Sequence, residues 1–100
     1  MEVTAYTSNC KGCTGKTYSG YNVQNTIYYN GMRVIASDHS VLPLYSIVEV
    51  AIGKSSFKAI VLDKGGAIKG NKLDLLVGTY DEAIQFGRKQ TKVKLIRKGR

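Results

Sequence analysis

Three of the seven acidic residues in this chain stand where an acid is hard to keep. Asp38 comes just after the apolar run Val34-Ile35-Ala36, Asp63 follows Ile60-Val61-Leu62, and Asp74 lies inside Leu73-Asp74-Leu75-Leu76. Carboxylates are seldom buried unless paired or hydrogen-bonded, so each position calls for an explanation. Turn capping through the side-chain oxygens accounts for Asp38 as well as chemistry does, and serves for Asp63 too. It is weakest for Asp74, which has apolar neighbours on both sides and no glycine beside it. Other familiar catalytic sets fail by count. One histidine, His39, leaves no Ser-His-Asp set to argue, and no pair of glutamates is placed for ordinary glycoside hydrolysis. The three aspartates are therefore the credible catalytic set.

Two further segments carry chemical potential. In Asp63-Lys64-Gly65-Gly66-Ala67-Ile68-Lys69-Gly70 the glycines let backbone approach a ligand, and a strand on each side would fix the loop. A phosphate-cradling loop needs Lys and Ser/Thr after its last glycine. Asn71 and Lys72 stand there instead, which excludes nucleotide binding on that pattern. Cys10-Lys11-Gly12-Cys13 reads as half a zinc site, a redox pair or a local disulfide. With no second cysteine pair and one histidine, a four-ligand metal site is not expected, and neither is a cofactor. An oxidised Cys10–Cys13 pair outside the cell is favoured, with reduced thiols left open.

The elements that must position these residues are mostly strands. A single proline, Pro43, eleven glycines and several short apolar runs predict many short strands with tight turns. Candidates are 2–7, 32–37, 47–52, 57–62, 72–77 and 91–96, and six strands in a chain this short point to a small barrel, since closure removes exposed edges. One segment breaks the pattern. Thr79-Tyr80-Asp81-Glu82 has the form of a capping box, so a short helix is expected after it. Tyr80, Ala83, Ile84 and Gly87 would share a face, with Gly87 ending the helix and Arg88 and Lys89 suiting its negative end. Residues 8–31 are read as a long loop with one short strand at most, of the length that usually serves binding.

One hundred residues with 43% apolar content support a single domain over 1–100. No apolar run approaches the length of a membrane span, and Met1-Glu2-Val3-Thr4 has no leader character. An extracellular role would then require a trimmed leader or delivery by another machine, such as a phage. The net charge of +8 favours an anionic partner. Seven of the fifteen basic residues fall in the last thirteen positions, which reads first as a solvated strand face and tail.

The motifs together resemble the 3D-domain family, named for its three aspartates. Ala36-Ser37-Asp38-His39-Ser40-Val41-Leu42-Pro43-Leu44 is similar to that family's A-x-D-P-S-V-I-P-L segment, and the stretch from Asp63 through Gly65-Gly66-Ala67-Ile68-Lys69-Gly70 to Asp74 to its D-T-G-G-A-I-K-G-x-x-I-D segment. Val3-Thr4-Ala5-Tyr6-Thr7 and Glu82 to Arg88 agree as well. The resemblance implies a mainly β fold, a six-stranded double-psi β-barrel with one short helix. It implies the activity of muralytic proteins of the stationary-phase survival type and of a membrane-bound lytic transglycosylase: cleavage of the β-1,4 bond between N-acetylmuramic acid and N-acetylglucosamine, leaving a 1,6-anhydro end. On that basis Asp74 is the acid/base, with Asp63 and Asp38 as partners, and Tyr6, Thr17, Gly65, Gly66, Ala67 and Lys69 are candidate glycan contacts. Peptidoglycan glycan strands are the expected partner, with anionic wall polymers beside them. The alternative is a non-catalytic glycan-binding module. Nucleic acid is supported only by charge and tyrosines, and is not expected. Three departures stand out: His39 for the family's Pro, Tyr45 for a Gly and Lys64 for a Thr. An ammonium beside the cluster would lower the pKa of Asp74, but strand alternation equally allows Lys64 to point to solvent.

Overall fold

The computed structural model describes residues 2–7, 17–23, 26–64, 70 and 72–99. The architecture is mainly β with one short helix. In chain order the elements are β1 (Glu2–Tyr6), β2 (Tyr28–Tyr29), β3 (Met32–Ser37), β4 (Ile47–Ile52), β5 (Ser55–Lys64), β6 (Lys72–Leu76), α1 (Tyr80–Phe86), β7 (Lys89–Gln90) and β8 (Lys92–Arg97). Among the described residues there are thus eight strands rather than six. The two additions, β2 and β7, are two residues long, too short to leave a periodic signal. No helix of the described residues is long and apolar enough to cross a membrane.

All strands join one sheet in the order β7-β1-β6-β3-β5-β4-β8, with β2 attached to β3. Two parallel pairs, β1 with β6 and β3 with β5, are joined through the antiparallel pair β3 with β6. The inner strands of this path are covered on both faces. That explains the unbroken burial of Val34 to Ser37 and of Ala59 to Leu62, whereas β4 buries only Val48 and Val50 on alternate positions.

Side chains on the two faces form two apolar clusters. One gathers Val3, Ile35, Val48, Val50, Val61, Leu73 and Leu75. The other gathers Val34, Ile60, Leu62 and Leu76, ringed by Tyr6, Tyr21, Tyr29 and Tyr45. Each fully buried aliphatic side chain in them stabilises the fold by about 1.5–3 kcal/mol relative to exposure.

The helix starts where the capping box predicts. Thr79 is extended, and its hydroxyl accepts from the backbone N–H of Glu82, while Gly87 ends the helix at φ 65°. Its inner face differs from the expectation: Ala83 and Phe86 pack on the first cluster, whereas Tyr80 and Ile84 are 72% and 59% exposed. Arg88 does not serve the helix end alone, since it pairs with Glu2 at 2.8 Å, and the Lys89 ammonium lies over the Phe86 ring.

Candidate functional site

Four residues on four neighbouring strands fall in one line across the sheet. Thr4 on β1 is in register with Asp74 on β6, Asp74 with Ala36 on β3, and Ala36 with Asp63 on β5. Alternation explains how Asp74 is tolerated inside an apolar run. Leu73 and Leu75 point into the first cluster, so Asp74 takes the opposite face with Thr4, Tyr6 and Leu76. Its flanking leucines are therefore not its own surroundings, as the sequence alone suggests.

Asp63 reaches that face through a bulge. Ile35 is opposite Val61 but Ala36 is opposite Asp63, which leaves Leu62 as an extra residue on β5. Without it Asp63 would fall on the face of Val61. Bulges commonly re-aim a side chain in this way. Two strand spacings separate Asp63 from Asp74, about 10 Å between backbones, with the small side chain of Ala36 between them.

Hydrogen bonds give the two acids different characters. Asp74 accepts from the Thr4 hydroxyl at 3.0 Å. Asp63 accepts from the Tyr6 hydroxyl at 3.1 Å and from the backbone N–H groups of Tyr18 and Lys64, both at 2.9 Å. Burial pushes the Asp74 carboxyl above its ordinary value, the negative charge of Asp63 adds to the rise, and the Thr4 hydrogen bond opposes it. The Tyr6 phenol is raised too, first by burial, then by the charge and hydrogen bond of Asp63 and by the charge of Asp74. It is held as a hydrogen-bond donor beside both acids.

Two of the three departures from the family pattern, His39 and Lys64, meet at one aromatic ring. Tyr18 is 63% exposed, meets His39 edge-to-face at 5.4 Å, and has the Lys64 ammonium 5.8 Å from its centroid. The His39 Nε2–H donates to the Asp63 carbonyl at 3.0 Å. Lys64 is thus directed to the Tyr18 ring, and it is not among the causes of the Asp74 shift. Of the two orientations open to Lys64, the structure shows the one that leaves Asp74 aside.

Thr17 is buried, and its hydroxyl is spent inside the turn, toward Ser19 at 2.7 Å and from the Tyr21 N–H at 3.2 Å. Ser19 N–H in turn donates to Leu62 O, so the turn holds Tyr18 against β5. Asp38 lies past the end of β3. One of its oxygens accepts from the Ser40 N–H and hydroxyl, the other from Gly70 N–H at 2.9 Å, so it ties the turn after β3 to the segment leading into β6. Gly65, Gly66, Ala67 and Lys69 lie outside the described residues, as do Cys10 and Cys13. Among the described residues no three His, Cys, Asp or Glu side chains gather as a metal site would require.

Two residues of the site escaped the sequence reading. Thr4 shares its strand face with Tyr6 by simple alternation, a signal available in Val3-Thr4-Ala5-Tyr6. Tyr18 has no such signal, because its contacts come from residues more than twenty positions away.

Fold and site together define a small, mainly β domain with a row of acids set across its central strands. The chain belongs to the 3D-domain family, whose model matches residues 33–97. It is 54% identical over 91 residues to the SPbeta prophage-derived uncharacterized protein YorM of Bacillus subtilis (strain 168), covering 90% of this chain and 38% of that protein. The putative cell wall shaping protein YabE of the same organism is 41% identical over 93 residues, covering 93% of this chain and 21% of YabE. The cell wall-binding protein YocH is 39% identical over 96 residues, covering 96% and 31%. The chain therefore spans well under half the length of these relatives. Among solved structures, MltA from E. coli matches with a TM-score of 0.62 at 20% identity, over 84% of this chain and 28% of MltA, a likeness of fold.

Proposed function

We propose that this domain is a peptidoglycan lytic transglycosylase, cleaving the β-1,4 bond between N-acetylmuramic acid and N-acetylglucosamine at the cell wall. The observation that carries the reading is Asp74, a half-buried carboxyl raised by burial and by Asp63, bonded to the Thr4 hydroxyl with the Tyr6 hydroxyl on the same sheet face. Neutral Asp74 protonates the glycosidic oxygen as the C1–O bond breaks. The resulting carboxylate takes the proton of the muramyl C6 hydroxyl, whose oxygen closes on C1. The second carboxylate that hydrolytic glycosidases use is replaced by a group of the substrate, and no water is consumed.

Asp63 acts through its charge on Asp74 and through Tyr6 and Tyr18, and Asp38 fixes the glycine segment at Gly70. Tyr18 offers its exposed ring as a stacking surface for a sugar, with Thr17 holding its turn. The remaining glycan contacts are assigned to Gly65, Gly66, Ala67 and Lys69. The core strands β1, β3, β4, β5, β6 and β8 are read as a double-psi barrel, which the paired parallel strands and the likeness to MltA support.

The second reading, a non-catalytic glycan-binding module, is favoured by one observation, the name of YocH as a cell wall-binding protein. Mass spectrometry of soluble products after incubation with purified peptidoglycan separates the two. Anhydromuramyl products from the parent and none from Asp74→Asn support the transglycosylase. Reducing-end products would replace it with hydrolysis, and retention on the glycan without products would replace it with the binding module.

A further inference from the structure

The opposite flank of the sheet carries a second charged face. Strand β8 pairs antiparallel with β4 so that Lys92 faces Ala51, Lys94 faces Glu49 and, across a shift in register, Arg97 faces Ile47. Val93 faces Val50 and packs on the first cluster, while Leu95, the partner of Val48, is half exposed. Ile96 is the extra residue, and it turns Arg97 onto the same face as Lys92 and Lys94. Lys58 joins them from β5, since Glu49 is its register partner too. Four exposed cations and one acid thus share this face, with Lys92 and Lys94 about 7 Å apart along the strand.

At its Arg97 end the face opens into a cavity of about 550 Å³, whose lining includes Tyr29, Tyr45, Ile47, Ile60, Arg97 and Lys98 and, among the described residues, no acid. The backbone that follows these cations is anchored. Gly99 N–H donates to the buried Ser46 hydroxyl at 2.9 Å, and a Cβ on Gly99 would collide with the backbone of Leu44 to Ser46. Tyr45, at φ 70°, keeps a left-handed conformation in this wall.

We infer that this face binds a phosphate-bearing polyol polymer of the cell wall, one anionic group seated at Arg97 and Lys98 and the chain running along Lys94 and Lys92. Recurring anions match the series Lys92, Lys94 and Arg97 along one strand face, and the planar fork of Arg97 suits a phosphate. The same charges would attract a nucleic acid, but single-stranded nucleic acid is held by aromatic rings interleaved with the cations. Along the strand the side chains between the cations are Glu49, Ala51 and Ser56, and the Tyr29 and Tyr45 rings stand only in the cavity at the Arg97 end.

The test is direct binding of synthetic poly(glycerol phosphate), with an oligothymidylate of equal charge as comparison, for the parent and a Lys92→Gln/Lys94→Gln/Arg97→Gln variant. Expected are tighter binding of the polyol polymer than of the oligonucleotide, roughly tenfold or greater loss in the variant, and a salt dependence shallower by about one unit per cation removed. Equal binding by parent and variant would overturn the inference. So would an oligonucleotide held as tightly as the polymer. Cleavage of polymer-free peptidoglycan by the triple variant at the parent's rate shows an intact fold and keeps this site separate from the acid row.

Discussion

Two bulges in one sheet do the same geometric task for opposite charges. On β5 the extra residue Leu62 turns Asp63 into the acid row, and on β8 the extra residue Ile96 turns Arg97 onto the basic face. Their surroundings differ. Leu62 is fully buried and packs in the second cluster, whereas Ile96 is 47% exposed at the sheet edge. Acids brought together in a partly dry setting alter one another's protonation, and each hydrogen bond counts. Cations on an exposed edge act by number and are screened by salt. The acid row therefore concentrates its effect in single residues, and the basic face spreads it.

The largest effect expected from this contrast belongs to Asp74. Asp74→Asn should lower product formation by about a hundred- to ten-thousand-fold, the range of general acid–base help. It should also stabilise the protein at neutral pH. The folded-state pKa of Asp74 lies above the ordinary value of 3.8, so its favourable contribution is complete below 3.8 and is lost as pH rises through the folded value. At pH 7 the unfolded chain ionises Asp74 freely while the fold resists that ionisation, and the amide removes the penalty. Thermal melts should show a higher Tm for the variant at pH 7 and a vanishing difference below 3.8. A lower Tm at pH 7 would show that the charged form is welcomed there and would break the contrast.

The bulges themselves can be compared by truncation. Leu62→Ala should cost about 2–5 kcal/mol in urea unfolding, because it empties a packed position. Ile96→Ala should stay within about 0.5 kcal/mol. Comparable losses would mean that the two bulges are equally built into the core.

Asp63→Asn sharpens the acid side. Removing the charge that helps to raise Asp74 lowers that pKa, and activity requires Asp74 protonated at the start. The alkaline limb of the pH–rate profile should therefore move to lower pH. Thr4→Val should move it the other way, since the Thr4 hydrogen bond opposes the rise. An unmoved limb in both variants would take Asp74 out of the titration.

What the sequence disclosed, and what it hid, follows the same division between local and long-range causes. The six longer strands, the Thr79 cap and the setting of Asp63 and Asp74 were legible because apolar runs, a capping box and misplaced acids are local signals. The faces were not. A bulge is a property of two strands in register, so neither Leu62 nor Ile96 announces itself, and the inner face of α1 fell to Ala83 and Phe86 because β1 and its neighbours, not the helix pattern, set the contact. The Tyr18, His39 and Lys64 grouping likewise needs the fold to assemble it.

One local signal was there to be read. Asn30-Gly31 between Tyr28-Tyr29 and Met32-Arg33 is a strong two-residue hairpin signature, and it locates at β2 the one short strand that the reading of residues 8–31 allowed without placing. Both turn residues have positive φ, 50° and 80°, as a type I′ turn requires. The smallest effect follows from it. Open space surrounds Gly31, so Gly31→Ala meets only the strain of a left-handed backbone, about 1 kcal/mol, or 4–8 °C in Tm for a chain of this size. Because Tyr29 and Asn30 line the cavity beside Arg97, the loosened hairpin should weaken retention of poly(glycerol phosphate) while leaving anhydromuramyl product formation at the parent's rate. A matching loss of both would mean that the hairpin braces the acid row as well, and that the two faces are coupled through β3.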